Sequence, residues 1–313
     1  MTIARRRTAP PGGRIGFFEG ADGQPLRYGL WRPQDRPIRA SIVFLNGRSE
    51  FIEKHFETYA DLLDRGFAVA TMDWRGQGLS GRGTGDPHKD HQADFSYRRA
   101  DLDRFCHTVV AEKMPPPYYA LAHSLGAHLL LHVLHDRPGF FAKAAALAPM
   151  VGIKLVPLPP WLMDVLLALA GWAGLGRVYM PGQRPYGPHR RSAERAGHLT
   201  SDLARFADEH AAIDLNPALA MGGVTYGWLK AARRSTRRLL SPGFAEAIET
   251  PLLILLAGAD PVVDNDRVRA FAARLPHARV ATIAGARHEL LKERDALRGE
   301  AMGHLMRFFK AVD

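Results

Sequence analysis

Apolar residues along this chain fall into two alternating rhythms. Short continuous runs, such as residues 40–45 and 251–258, have the pattern of strands buried on both faces. Between them lie stretches of helical spacing: over 51–64, Phe56, Tyr59, Leu62 and Leu63 recur on one face until Gly66 stops the helix. The same reading gives strands at 15–19, 26–32, 67–74, 118–123, 142–147 and 278–283, and helices at 94–113, 124–136, 265–274 and 290–310. The first two strands flank Ala21-Asp22-Gly23 and form a hairpin. Regular alternation of strand and helix predicts a mostly parallel sheet with helices on both faces.

The rhythm breaks over residues 151–249, where helical patterns, Pro and Gly clusters and basic runs occur without a convincing strand. The simplest architecture is an α/β core of residues 15–150 and 250–313, interrupted by a helical cap insertion at 151–249 and preceded by a flexible arm at 1–14. With 313 residues the chain exceeds the roughly 250–300 at which one hydrophobic core stops growing, so an insertion or a second domain is expected.

One junction carries chemistry. The run 118–123 stops at Ala122-His123-Ser124-Leu125-Gly126 and continues as a helix, the outline of a nucleophile elbow, in which a serine sits on a tight strand-to-helix turn with its hydroxyl above the sheet. A serine hydroxyl is a poor nucleophile until a base takes its proton, so a histidine and an orienting carboxylate are required. Asp260 follows the strand 251–258 and His288 follows 278–283, in the order such an elbow uses, with Asp264 as a competing acid. The oxyanion of the tetrahedral intermediate needs two backbone N–H donors. These are assigned to Leu125, after the nucleophile, and to Arg48, in the loop after the strand 40–45. Neither a metal nor a cofactor enters this chemistry.

On these residues the chain resembles the serine-hydrolase branch that contains bacterial lysophospholipases and monoacylglycerol lipases. Asn46-Gly47-Arg48-Ser49-Glu50, Asp73-Trp74-Arg75-Gly76-Gln77-Gly78-Leu79-Ser80 and Ala122-His123-Ser124-Leu125-Gly126 look like its signatures. Leu199-Thr200-Ser201-Asp202 and Gly223-Val224-Thr225-Tyr226-Gly227-Trp228 look like those of the lysophospholipase subgroup. Asn46 stands where many members have histidine, and Ala122 where most have glycine. The resemblance implies an α/β-hydrolase fold and an enzyme that cleaves the acyl ester of lysophospholipids or monoacylglycerols through an acyl-enzyme. A small-substrate esterase or a short-peptide aminopeptidase would use the same fold, since the cap sets the substrate. A ligand-binding protein on a hydrolase shell is the alternative outside enzymology.

Other patterns have plainer explanations. Gly76-Gln77-Gly78-Leu79-Ser80-Gly81 follows a strand as a dinucleotide fingerprint would, but Gly83, Gly85 and Pro87 prolong the loop where a helix should begin. His128, His132 and His135 share a helix face at the spacing of metal ligands, yet that helix should pack on the sheet, so they read as core or boundary histidines. Residues 161–174 are too short for the roughly 20 residues of a membrane span, contain Asp164 and follow Pro157, Pro159 and Pro160. They predict a cap helix whose Trp161, Leu162, Leu166, Leu167, Leu169 and Trp172 bury more than one face, gluing cap to core or forming an apolar lid over Ser124.

Charge adds one expectation. Of the net +10, most lies in residues 177–240, which hold eleven Lys or Arg against five Asp or Glu. That segment is a solvated basic face or an attractor of anionic surfaces, and without a nucleic-acid-binding motif membrane lipid fits better than nucleic acid. The single cysteine, Cys106, suits a reducing compartment, and no apolar run follows Arg5, Arg6 and Arg7 to make a secretory signal. The expected setting is the cytoplasm, with peripheral contact at the inner face of the membrane.

Overall fold

A computed structural model describes residues 2–152 and 158–310 of the chain. Eight strands form one sheet: β1 (Arg14–Glu19), β2 (Pro25–Trp31), β3 (Ala40–Leu45), β4 (Phe67–Met72), β5 (Tyr118–His123), β6 (Lys143–Leu147), β7 (Leu252–Ala257) and β8 (Ala278–Ile283). Their spatial order is β1-β2-β4-β3-β5-β6-β7-β8. The hairpin β1–β2 and the pair β2–β4 are antiparallel; every other neighbouring pair is parallel. The chain runs from β3 outward to β4 and then returns to β5 on the other side of β3. Such a reversal opens a crevice at the carboxyl ends of the strands, where ligands bind in open α/β sheets.

Burial on both faces explains the unbroken apolar runs. Along β7, Leu252, Ile254 and Leu256 join one apolar layer and Leu253, Leu255 and Ala257 the other. The first layer is completed by helices Ser96–Phe105, Leu125–Asp136 and Asn265–Ala272, the second by Phe56–Leu63 and Asp295–Lys310. This is an α/β-hydrolase fold.

Two predicted helices are less regular than their spacing suggests. The helix over 94–113 begins at Ser96 and passes through a π turn, Cys106–Val110, before ending at Lys113. The helix over 290–310 is split into a short turn, Leu290–Lys292, and the helix Asp295–Lys310. The gap holds Glu293, wholly buried, whose carboxylate accepts the backbone N–H groups of Arg287 (2.7 Å) and Ser201 (3.1 Å).

Between β6 and β7 the described residues form the helices Pro160–Trp172, Ala193–Leu199, Leu203–Leu215 and Tyr226–Leu239, with extended pairing only in the isolated bridges Asp90–Val224 and Tyr179–Thr225. Pro157 lies outside the described residues.

Two expectations fail here. The helix Pro160–Trp172 buries one stripe, Met163, Leu167 and Ala170, against the first apolar layer and the helix Tyr226–Leu239, while Trp161 is 66% exposed, Leu169 56% and Trp172 89%. Nothing among the described residues covers its other side. The arm is not loose either: Ile3–Arg7 is a short helix. Arg6 and Arg7 meet Asp208 at 2.7 and 2.6 Å, and Arg5 meets Asp61 at 3.2 Å. Consecutive arginines facing carboxylates on two helices hold the segment down.

Candidate active site

β5 delivers Ser124 into a strained turn. Its backbone, at φ 50° and ψ −111°, lies where few non-glycine residues go. Three hydrogen bonds hold it there: Ser124 N–H donates to the Leu147 carbonyl (3.0 Å), and the Ser124 carbonyl accepts from His128 (3.0 Å) and Met150 (3.2 Å). Two residues on, a Cβ at Gly126 would come within 2.5 Å of the carbonyl oxygens of Leu45 and Asn46, so only glycine lets the helix start this close to β3. Ala122 pairs in register with Ala146 and shares its buried layer, which accommodates the extra methyl.

The three residues singled out by order meet. His288 Nε2 lies 2.9 Å from Ser124 Oγ, and His288 Nδ1 lies 2.8 Å from Asp260 Oδ2. The second Asp260 oxygen accepts the N–H groups of Val262 (2.8 Å) and Val263 (3.1 Å). Burial raises the pKa of the Asp260 carboxyl, but His288 and these two amides outweigh it and hold the pKa below the usual carboxylate value. An ionised Asp260 requires the proton on Nδ1, which leaves Nε2 free to accept from the serine hydroxyl. Asp264, the competing acid, caps the helix Asn265–Ala272 by accepting from Asp266 and Arg267.

Of the assigned oxyanion donors, Leu125 directly follows the nucleophile and Arg48 lies in the loop after β3. Leu125 is the first residue of its helix, so its N–H has no intrahelical acceptor. The Arg48 loop is held from four sides: Asn46 Nδ2 donates to the Met72 carbonyl (3.0 Å), Trp74 Nε1 to the Asn46 carbonyl (2.7 Å), Gln77 Nε2 to the Gly47 carbonyl (3.0 Å), and Gly47 N–H to Glu50. The asparagine that replaces histidine thus keeps the loop in place through its own amide. The glycine-rich run after β4 wraps a buried carboxylate: Asp73 accepts from Ile52 and Leu79, both at 3.0 Å, and a Cβ on Gly78 would strike it. Burial lifts Asp73 to about 6 despite the neighbouring Arg27.

A second set of charges beneath the site went unread in the sequence. Glu50 accepts from His123 Nδ1 (3.0 Å) and contacts His55 (3.2 Å). Lys54 Nζ lies 2.7 Å from Glu209 and from Glu289, and 3.5 Å from Glu50. Burial works against ionised Glu50, yet His123, Lys54 and His55 hold its pKa well below the usual value. Glu50 and His123 sit inside two of the signature motifs, which was the available signal; Glu209, on the helix Leu203–Leu215, gave none. The three helical histidines are engaged elsewhere: His128 and His132 share the Ser235 hydroxyl (2.7 and 3.0 Å), and His135 stacks on Phe244. Burial pushes His128 down to about 4.

Above Ser124 lies a cavity of about 370 Å³. Met150, Met163, Met180, Trp228, Leu229 and Val262 make an apolar wall, whereas Arg48, Gln183 and Arg195 contribute polar groups. An apolar wall with a few polar groups is the usual make-up of a small-molecule site.

Known proteins match this architecture. The model of the family described as Serine aminopeptidase, S33, matches residues 36–295. The Lysophospholipase L2 of Escherichia coli is 32% identical over 303 residues, covering 93% of this chain and 86% of that protein. The Probable lysophospholipase L2 of Haemophilus influenzae is 30% identical over 292 residues, covering 93% and 90%. Among solved structures, a soluble variant of monoglyceride lipase from Saccharomyces cerevisiae superposes with a TM-score of 0.75 at 18% identity, covering 97% of this chain and 96% of its own. A thermostable carboxyl esterase from Bacillus coagulans reaches 0.74 at 15% identity, covering 96% and 98%.

Proposed function

Because the chain belongs to the family described as Serine aminopeptidase, S33, and is a serine hydrolase of the esterase and lipase kind, we propose that it cleaves the acyl ester of a single-chain lipid through an acyl-enzyme on Ser124. The observation that carries this reading is the Ser124–His288–Asp260 relay, at 2.9 and 2.8 Å, under a cavity with an apolar wall.

In the proposed reaction Ser124 Oγ attacks the ester carbonyl while its proton passes to His288 Nε2. The oxyanion is held by the N–H groups of Arg48 and Leu125. The C–O bond to the leaving alcohol breaks as His288 returns the proton to that oxygen, leaving the acyl-enzyme. A water molecule then gives its proton to His288 and attacks the acyl carbon. Collapse releases the fatty acid and reprotonates Ser124. Asp260 keeps the imidazole in the required tautomer and stabilises it when charged.

The apolar wall supports an acyl chain over a peptide. Three methionines give it unbranched, adaptable side chains that fit chains of differing length. An aminopeptidase needs an unengaged carboxylate for the substrate ammonium, but Glu50, Glu209 and Glu289 converge on Lys54. The reading is tested by profiling purified protein on esters of graded chain length, with Ser124→Ala as control. Long single-chain lipids should be preferred, and the variant should lose labelling by a fluorophosphonate. Hydrolysis confined to short esters or dipeptides overturns it.

The same reading includes peripheral contact with an anionic membrane from a cytoplasmic setting. Among the described residues no helix is long and apolar enough to cross a membrane. The uncovered face of Pro160–Trp172 presents Trp161, Val165, Leu169 and Trp172, and the adjoining helix exposes Arg234 and Arg237. Aromatic and aliphatic residues flanked by cations suit the headgroup region of a bilayer.

A further inference from the structure

Two guanidiniums line the cavity beside carboxylates that already hold other cations. Arg48 and Arg195 line the cavity with Ser124 and His288, and Arg190 stands close enough that Arg48, Arg190 and Arg195 press on one another's charge. Among the described residues, Arg48 donates to the Gly222 carbonyl at a long 3.3 Å and faces Asp90 at 3.5 Å. The guanidiniums of Arg190 and Arg195 have no hydrogen-bond or ion-pair partner there. Four other arginines between β6 and β7 are paired: Arg191 with Asp214, Arg233 and Arg237 with Asp164, and Arg238 with Asp136.

Nearby carboxylates are already engaged. Glu209 and Glu289 share Lys54, Glu50 holds His123, and Asp90 holds Arg98 at 2.9 Å. Glu209 and Glu289 temper the charge of Arg190 and Arg195, yet burial and mutual repulsion still lower both pKa values, Arg190 to about 10. Partly buried cations without hydrogen-bonded partners are matched best by an anion that brings its own oxygens.

We propose that Arg195, with Arg48 and Arg190, forms a subsite for the phosphate of a single-chain phospholipid whose acyl ester lies at Ser124. This rests on the reading of the protein as a single-chain lipid esterase. Glycerol separates the phosphate from the acyl ester by only a few bonds, so one cavity serves both ends of the molecule. The methionine wall takes the chain, and the guanidinium forks take phosphate oxygens two at a time. A monoacylglycerol would leave the arginines unmatched.

The test compares kcat/KM for palmitoyl lysophosphatidate and monopalmitoylglycerol in wild type and in Arg195→Gln, Arg190→Gln and Arg195→Lys, each checked for an unchanged Tm. A second readout is competitive inhibition of p-nitrophenyl butyrate hydrolysis by glycerol 3-phosphate, glycerol and inorganic phosphate. Wild type should prefer the phosphate-bearing lipid. Arg195→Gln should cut the ratio of the two kcat/KM values by about tenfold or more, chiefly through KM, with lysine restoring part of it. Glycerol 3-phosphate should inhibit where glycerol does not, and Arg195→Gln should relieve that inhibition. An unchanged ratio in both glutamine variants, or inhibition indifferent to them, overturns the subsite. Inorganic phosphate inhibiting as strongly as glycerol 3-phosphate would make it a free-anion site and overturn the headgroup assignment. If wild type cleaves neither lipid but glycerol 3-phosphate still inhibits through Arg195, the lipid reading fails while the phosphate subsite stands.

Discussion

The imidazole of His123 reaches the backbone carbonyl oxygen of His288 at 3.1 Å through Nε2. Its other nitrogen lies 3.0 Å from Glu50. Both partners are acceptors, so both ring nitrogens must donate, and His123 is an imidazolium. The residue before the nucleophile therefore braces the residue that carries the base, while Glu50 binds that brace to the oxyanion loop through Gly47. Burial alone would push the His123 pKa down, but Glu50 outweighs it and holds the value above the usual 6.5.

Stability should follow that proton. A raised folded pKa contributes stabilisation that is full below the ordinary histidine value and is lost as pH rises through the folded one. Wild type should exceed His123→Gln by about 2 kcal/mol near pH 5.5, with the gap shrinking as pH rises above the ordinary histidine value. Urea unfolding of both proteins across that range checks it; a gap that widens with pH would contradict a charged His123.

The choice between the two aspartates is equally open to measurement. Asp260→Asn should lower kcat on a p-nitrophenyl ester by about 10³–10⁴-fold, because an amide favours the wrong imidazole tautomer. Asp264→Asn should leave kcat within about twofold, since asparagine caps a helix as well as aspartate does.

Gly126 tests the junction between elbow and oxyanion loop. Gly126→Ala places a methyl against the Leu45 and Asn46 carbonyl oxygens at 2.5 Å. The expected result is a loss of about 1–3 kcal/mol in unfolding free energy, together with a fall in kcat as the Arg48 amide shifts. Full activity in the alanine variant would show that the loop yields without consequence.

Vesicle sedimentation addresses the uncovered helix face. Binding to phosphatidylserine-containing vesicles should weaken as salt rises, and Trp172→Ala with Leu169→Ala should reduce it at any salt. Binding indifferent to both changes would remove the membrane proposal.

Much of this was legible in the sequence because the chemistry sits at strand ends. Ser124 and Asp260 each follow an apolar run, and burial on both faces makes such runs easy to see, whereas His288 follows β8, a partly exposed edge strand placed by its position in the strand–helix alternation. What stayed hidden depends on long-range partners. An apolar helix such as Pro160–Trp172 gives no local sign of how many neighbours will cover it, so its exposure could not be read. Nor could the pairing of Lys54 with Glu209, far apart in the chain, since either alone resembles a solvated side chain. Asp260 and Asp264 were separated only by hydrogen bonds: one accepts from an imidazole, the other from its own helix.

The short helix Ile3–Arg7 grips Asp61 on the core with Arg5 and Asp208 of the helix Leu203–Leu215 with Arg6 and Arg7. It ties the core to that helix at Asp208, the residue next to the Glu209 that Lys54 holds. Purification tags or truncations at these residues would thus loosen the helix Leu203–Leu215, and with it the Glu209–Lys54 pair, from a distance while the reacting groups stay untouched.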